Sequence, residues 1–368
     1  MQPLNRFVLP ALLVLSAANV QASSPSPDTD WPVADAGARG WNTERLAALD
    51  AAIASGEAPD TTSVLVVHRG ALIHEAYFNG ADRNTLHNTR SLTKSVTGLL
   101  VGAAIDRGLI EGVDAPVLGF FPDRTPAHPG AFKTATTVED LLTMSAQWEC
   151  DDNNEFSSGH EERMYVSADW IQFALDLPQR GYPAWTTRPA DSPHGRAFAY
   201  CTANAFLLGA IVERASGMSL ERFAADVLER PLGIEDSRWH RSSDGTGMGG
   251  GGTEYRSRDL AKFGQLIADG GRWQDRQIVS ADWVRAMAQV HAQTPFEADY
   301  GYQMWRFPFK AGDRQVHAWA MSGNGGNYVF VVPESELVVV ITRTRYNQRG
   351  MHAESQKLFA DYVLSAMP

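Results

Sequence analysis

The chain has 368 residues, of which 44% are hydrophobic and 20% are charged, and its formal net charge at pH 7 is −11. This composition is typical of a globular protein whose core is large enough to fold without metal ions or several disulfides. The acidic balance argues against nucleic acid or an anionic lipid surface as the main partner, because both attract clustered Lys and Arg.

Residues 1–22 have the features of a secretory signal peptide. Arg6 is their only charged side chain, the segment 7–20 is mostly apolar, and residues 20–22 fit a small-residue cleavage site. The apolar segment is too short for a membrane anchor. We therefore expect an exported protein, periplasmic or extracellular, that has no stable membrane association once the signal is removed.

The first predicted elements after the signal are a β-hairpin and a helix. Residues 63–67 and 71–78 are apolar, β-branched runs joined by a short glycine turn. Residues 92–110 are apolar and rich in small side chains, and Gly112 follows them, which predicts a helix. Further helices are predicted at 138–144, 167–177, 202–216 and 220–230.

The last third of the chain returns to strands. A glycine-rich stretch precedes Ser257, which is predicted to be the N-cap of a helix at 258–269. Beyond it, we predict helices at 281–291 and 354–366 and a strand pair at 328–332 and 337–343.

Strands at both ends of the chain and helices between them predict the fold class and the domain organisation. We expect an α/β (α+β) fold, in which an antiparallel sheet built from both ends of the chain is flanked by helices. The predicted single domain covers residues 23–368. Its sheet part is expected at about 40–90 and 245–368, and a mainly helical inserted part at about 91–240.

Ser91 and Lys94 are the first candidates for catalysis. Residues three apart at a helix start share one face, so the hydroxyl and the amine can meet. Serine becomes a good nucleophile when a base accepts its proton, and lysine can do so when burial and the helix dipole lower its pKa. The alternative is an N-cap serine with an exposed lysine, but the apolar continuation of this helix favours burial.

Two other segments could complete a site. Tyr200 precedes the predicted helix at 202–216, where a phenol near an ammonium group loses its proton more easily; a core tyrosine is the alternative. Ser322, Gly323 and Asn324 lie just before a predicted strand, and glycine there allows either close approach of a ligand or merely a tight turn.

Several other patterns do not predict a site. Residues 247–252 match G-x-G-x-x-G, but no strand precedes them and no helix starts on them, so a dinucleotide site is not expected. The histidines show no metal-binding spacing. The acidic run at 149–155 could hold a cation weakly, but we interpret it as a solvated loop.

Taken together, the motifs resemble the serine β-lactamase and penicillin-binding protein superfamily. The closest resemblance is to its branch of class C β-lactamases, family VIII esterases and 6-aminohexanoate-dimer hydrolases. Similar segments occur in the family's order, at 89–95, 138–145, 200–209, 230–234, 249–260 and 323–333.

The resemblance implies a role for each candidate residue. Ser91 would be acylated, Lys94 and Tyr200 would handle the proton, and the backbone N–H groups of Ser91 and Asn324 would form the oxyanion hole. Thr202, Ser322 and Gly323 would contact the substrate, which is expected to be a small-molecule ester or amide. No metal or organic cofactor is implied.

Two departures from the family motifs affect the expected substrate. Thr202 stands where the tyrosine motif usually ends in asparagine, and Met321 stands where true β-lactamases have the lysine of K-T-G. A cation for a substrate carboxylate is therefore absent at that position. We expect hydrolysis of an ester or small amide. The alternatives are a weak β-lactamase, a D-amino-acid peptidase or carboxypeptidase, and a non-catalytic module that binds envelope peptides.

The two cysteines, Cys150 and Cys201, leave one structural question open. In an oxidising compartment they could form a disulfide, and two buried free thiols are the alternative. Because Cys201 follows Tyr200, such a disulfide would hold a loop at the rim of the site.

Overall fold

The computed structural model describes residues 31–182, 184–185 and 197–368. The predicted signal peptide lies outside these ranges, and residues 32–368 belong to one compact unit. The strands are β1 (Thr61–His68), β2 (Ala71–Tyr77), β3 (Leu86–Asn88), β4 (Glu254–Arg256), β5 (Arg272–Trp273), β6 (Arg276–Gln277), β7 (Ala292–Gln293), β8 (Asp299–Tyr300), β9 (Trp305–Ala311), β10 (Arg314–Gly323), β11 (Asn327–Val332) and β12 (Leu337–Arg343).

The helices lie mainly between the two groups of strands. They are α1 (Thr43–Ala54), α2 (Thr93–Asp106), α3 (Ala131–Thr134), α4 (Val138–Leu142), α5 (Glu161–Tyr165), α6 (Trp170–Leu175), α7 (Thr202–Ser216), α8 (Leu220–Ala224), α9 (Ser257–Ala268), α10 (Ala281–Met287) and α11 (Met351–Leu358). Between β3 and β4 the described residues contain helices but no strand. Among the described helices, none is both long and apolar enough to cross a bilayer.

The main sheet has eight antiparallel strands in the order β2-β1-β12-β11-β10-β9-β8-β7. β1 pairs with β12, so the two ends of the chain meet in its centre. Every residue of β1, β11 and β12 is buried, because helices cover both faces of these central strands. The predicted fold class is confirmed.

Each face of the sheet packs against different helices. On one face, α1 and the C-terminal segment Phe359–Leu364 contribute to the apolar core, where Phe330 stacks on Phe359 with ring centroids 4.2 Å apart. On the other face lies α9. A Cβ atom on Gly264 would be only 2.5 Å from a methyl group of Val338, so this helix sits directly against the strands.

The structure differs from the sequence prediction at Ser257 and at β9 and β10. Ser257 is the first residue of α9 rather than its N-cap, since its hydroxyl is hydrogen-bonded to that of Ser63 at 2.7 Å. No strand was predicted at β9 or at most of β10. β9 is only partly buried, and β10 begins with exposed residues before its buried run at 318–321, so neither sequence is apolar along its whole length.

Phe330→Ala is expected to lower the free energy of unfolding by roughly 3–5 kcal/mol, since it leaves a cavity among packed aromatic rings. Phe156→Ala is the matched control, because Phe156 is 82% exposed; its effect should stay within about 0.5 kcal/mol. Urea unfolding of both variants measures the difference. Equal stability of the two variants would contradict this description of the core.

Candidate active site

Ser91 and Lys94 meet at the start of α2. Ser91 lies in a 3₁₀ turn, Arg90–Leu92, that leads directly into the helix, and Lys94 is in the first helical turn. Lys94 Nζ donates a hydrogen bond to Ser91 Oγ at 3.0 Å and another to the Gly250 carbonyl oxygen at 2.6 Å. The hydroxyl and the amine are thus in direct contact.

The surroundings of Lys94 favour its neutral form. Its side chain is only 1% exposed, and burial lowers the pKa of the amine below its usual value. The negative charges of Glu161 and Asp152 act in the opposite direction and raise it. A buried amine whose pKa is lowered can accept a proton near neutral pH.

Tyr200 lies beside both residues. Its hydroxyl is hydrogen-bonded to the Ser91 side chain, and Lys94 Nζ is 5.0 Å from the centre of its ring. Burial raises the pKa of the Tyr200 phenol far above its ordinary value. Burial therefore opposes the easier loss of its proton that we expected near an ammonium group. The phenol keeps its proton at neutral pH and can donate it.

The end of β10 packs against the turn that carries Ser91. A Cβ atom on Gly323 would lie 2.0 Å from the Thr89 carbonyl oxygen, so only glycine fits. The next residue, Asn324, lines the same cavity as Ser91. Its side chain is held by Asn347, which accepts a hydrogen bond at 2.7 Å and donates one from its backbone at 2.8 Å. The two residues predicted to form the oxyanion hole thus lie at one cavity.

The residues before Gly323 alternate between two faces of β10. Ser322 lines the cavity and pairs across the sheet with Tyr328, which lines it as well. Met321 is fully buried and is not among the residues that line the cavity. The position of the family's lysine therefore contributes no cation here.

The cavity above Ser91 has a volume of about 370 Å³, and its lining includes both aromatic and acidic side chains. The aromatic ones are Phe296, Trp305, Phe307 and Tyr328, together with Tyr200, and the acidic ones are Asp152 and Glu161. Tyr200 stacks on Trp305, with ring centroids 5.6 Å apart. A second cavity, of about 380 Å³, shares Ser91, Glu161 and Asn324 with the first.

Sequence reasoning did not identify Asp152 and Glu161 as part of the site. We interpreted the acidic run that contains Asp152 as a solvated loop, but this carboxyl group is largely buried. Burial, and then the charge of Glu161, raise its pKa to about 6. The proximity of Cys150 to Asp152 was the available signal, since a disulfide to Cys201 would bring this loop to Tyr200.

Thr202 contacts the two carboxylates rather than the cavity. It is fully buried and is not among the lining residues. Its backbone N–H donates to Asp152 Oδ2 at 2.6 Å, and its hydroxyl donates to Glu161 Oε2 at 3.1 Å. Thr202, which was predicted to contact the substrate, would therefore act on the substrate only through Asp152 and Glu161.

Cys150 and Cys201 form a disulfide, with their Cα atoms 5.4 Å apart. Both cysteines are buried. The choice that the sequence left open is thus resolved in favour of the disulfide. It joins the loop of Asp152 to the residue that follows Tyr200.

Two curated proteins are similar to this chain in sequence. A 6-aminohexanoate-dimer hydrolase from Paenarthrobacter ureafaciens is 28% identical over 265 residues, which are 72% of this chain and 65% of that protein. Esterase EstB from Burkholderia gladioli is 27% identical over 185 residues, which are 47% of this chain and 45% of that protein. The chain thus spans less than two thirds of the length of either relative.

A solved structure shares the fold. EstCE1, described as a hydrolase with promiscuous acyltransferase activity, superposes with a TM-score of 0.68 at 16% identity and covers 88% of this chain and 98% of its own. The family model described as Beta-lactamase matches residues 49–360, which is most of the chain. The protein therefore belongs to the β-lactamase family, in the superfamily of serine β-lactamases and penicillin-binding proteins.

Proposed function

We propose that the protein is a serine hydrolase that cleaves a carboxylic ester or a small amide through an acyl-enzyme on Ser91. The observation that carries this proposal is the 3.0 Å hydrogen bond between the buried Lys94 amine and Ser91 Oγ, at a cavity large enough for a small molecule. Relatives named as a hydrolase and an esterase support the same chemistry.

In the acylation step, the neutral amine of Lys94 accepts the proton of Ser91 while Oγ attacks the substrate carbonyl carbon. Negative charge then develops on the carbonyl oxygen. The backbone N–H groups of Ser91 and Asn324 are assigned to stabilise it, as an oxyanion hole does. The lowered pKa of Lys94 supports its role as the base.

Tyr200 is assigned to the leaving group. Because its phenol remains protonated, it can donate that proton to the departing oxygen or nitrogen and recover a proton that Lys94 received from Ser91. Water then attacks the acyl-enzyme, the carboxylic acid leaves, and Ser91 regains its hydrogen. The proton count is unchanged over the cycle apart from the ionisation of the acid product.

The cavity favours a substrate whose acyl group is apolar and carries no negative charge. Trp305 and Phe307 offer packing surfaces, whereas Asp152 and Glu161 would repel a carboxylate. The described residues that line this cavity include no Lys or Arg. This charge distribution supports an esterase or amidase rather than an efficient β-lactamase or carboxypeptidase.

Export of the protein is also proposed. The Cys150–Cys201 disulfide supports it, because disulfides persist in oxidising compartments and are rare in the cytosol.

Substitution of the three reacting side chains tests the mechanism. Ser91→Ala should abolish covalent labelling by a fluorophosphonate. Lys94→Ala should lower kcat/KM for p-nitrophenyl butyrate, and Tyr200→Phe should lower kcat/KM for ethyl butyrate, whose ethoxide needs a proton in order to leave. Each loss should be about a hundredfold or more, the usual scale for lost acid–base catalysis. Ser158→Ala, at an exposed serine, is the control. Undiminished labelling of Ser91→Ala would refute the assignment, and labelling of no form of the protein would favour the non-catalytic module.

Glu161→Gln should move the acid limb of the kcat/KM profile to lower pH. The active form needs neutral Lys94, so the rate falls as the pH falls through the pKa of this amine. Glu161 raises that pKa, and its removal lowers it. Glu155→Gln, at an exposed position of the loop that precedes α5, should leave the acid limb of the profile unchanged. A shift to higher pH in Glu161→Gln would show that Lys94 is not the group that titrates.

The charge of the acyl group tests the proposed specificity. We expect kcat/KM for the monoanionic p-nitrophenyl hemisuccinate to be about tenfold or more below that for p-nitrophenyl butyrate, since like charges inside a cavity repel. The double variant Asp152→Asn/Glu161→Gln should narrow this ratio. Preference for the anionic ester, or rapid hydrolysis of nitrocefin, would instead favour the β-lactamase or carboxypeptidase alternatives.

A further inference from the structure

Two segments that are distant in sequence meet behind Tyr200. The Cys150–Cys201 disulfide joins them across a sequence separation of 51. The backbone N–H of Asp152 also donates to the Tyr200 carbonyl oxygen at 2.9 Å. The backbone of the tyrosine is therefore bound directly to the loop that carries Asp152.

The side chain of Asp152 adds a second connection at the start of α7. The N-cap residue of this helix is Cys201, whose side chain provides no capping hydrogen bond. The first N–H groups of a helix need acceptors from elsewhere, and a carboxylate is favourable at this end of the helix dipole. Asp152 supplies the acceptor, since its Oδ2 binds the Thr202 N–H at 2.6 Å.

The carboxylate is itself held in place from its other side. Its Oδ1 accepts a hydrogen bond from the Glu161 N–H at 3.0 Å, at the start of α5. One side chain thus connects the beginnings of α5 and α7, and it does so next to the backbone of Tyr200.

We propose that Asp152 is a positioning residue that, together with the Cys150–Cys201 disulfide, fixes the backbone of Tyr200 so that its phenol stays within hydrogen-bonding reach of Ser91. This inference rests on the proposed function, because it assigns Asp152 an effect that acts through the phenol. Stacking on Trp305 orients the plane of the Tyr200 ring. The contacts of Asp152 hold the backbone position from which the Tyr200 side chain extends. A displacement of about 1 Å at a reacting group can cost on the order of a hundredfold in rate.

A double-mutant cycle between Asp152→Ala and Tyr200→Phe tests the proposal. The probe is ethyl acetate, whose acyl group is too small to depend on contact with the Asp152 side chain and whose ethoxide leaving group needs a proton; its hydrolysis is followed by pH-stat titration. Asp152→Ala should lower kcat/KM about tenfold to a hundredfold when Tyr200 is present. In the Tyr200→Phe background the same substitution should change the rate by no more than about twofold, because the group it positions is gone.

If Asp152→Ala only disturbed the structure, the cycle would give a different result. If the losses multiply, Asp152 acts independently of the phenol and the proposal is overturned; an undiminished rate in Asp152→Ala also overturns it. Asp152→Asn keeps one acceptor oxygen for the Thr202 N–H and should restore part of the rate. It also serves as the second variant for the cycle if Asp152→Ala does not fold.

The cycle separates this proposal from the proposed function. If Tyr200→Phe alone keeps the full rate, the role of Tyr200 in hydrolysis fails, and the positioning role fails with it. If Tyr200→Phe is impaired and the losses multiply, only the positioning role fails. Glu155→Ala, at an exposed position of the same loop, should leave both the rate and the melting temperature unchanged.

Discussion

The buried contact between Lys94 and Ser91 is the constraint on which the rest of the site depends. An amine that is removed from water needs hydrogen-bond partners, and Lys94 finds them in Ser91 Oγ and the Gly250 carbonyl oxygen. The hydrogen bond to Gly250 requires the glycine-rich loop to approach α2 and α7 very closely. A Cβ atom on Gly250 would lie 2.8 Å from Thr202 Cγ2, so the loop, α2 and α7 are packed together around the amine.

The same burial determines how the charges of the site are distributed. It lowers the pKa of Lys94 and raises that of Tyr200, which supports the proposed roles of the amine as base and the phenol as acid. It also makes ionisation of Asp152 less favourable, and Glu161 adds to this effect. Met321, at the position where true β-lactamases have a lysine, is buried, and the described lining of the cavity is aromatic and acidic. This arrangement is the physical basis of the proposed preference for uncharged esters and amides.

Local patterns account for the parts of the structure that the sequence predicted well. The contact between Ser91 and Lys94 follows from a spacing of three residues on one helix, and the β-branched runs of β1 and β12 lie in the buried centre of the sheet. Tyr200 and Asn324 could be assigned only through family resemblance, because nothing local shows that segments more than a hundred residues apart converge. Asp152 and Glu161 were missed for the same reason. A run of acidic residues gives no sign that a disulfide and a helix N-terminus will bury one of them.

The most direct test of the central claim is mass spectrometry of the intact protein, quenched in acid within the first turnovers with p-nitrophenyl butyrate. The account predicts an added mass of one butyryl group, located on the peptide that contains Ser91. The butyryl-enzyme accumulates when its hydrolysis by water is slower than its formation. Lys94→Ala should show no adduct on the same time scale. An adduct on a residue other than Ser91, or an adduct of equal extent in Lys94→Ala, would contradict the account.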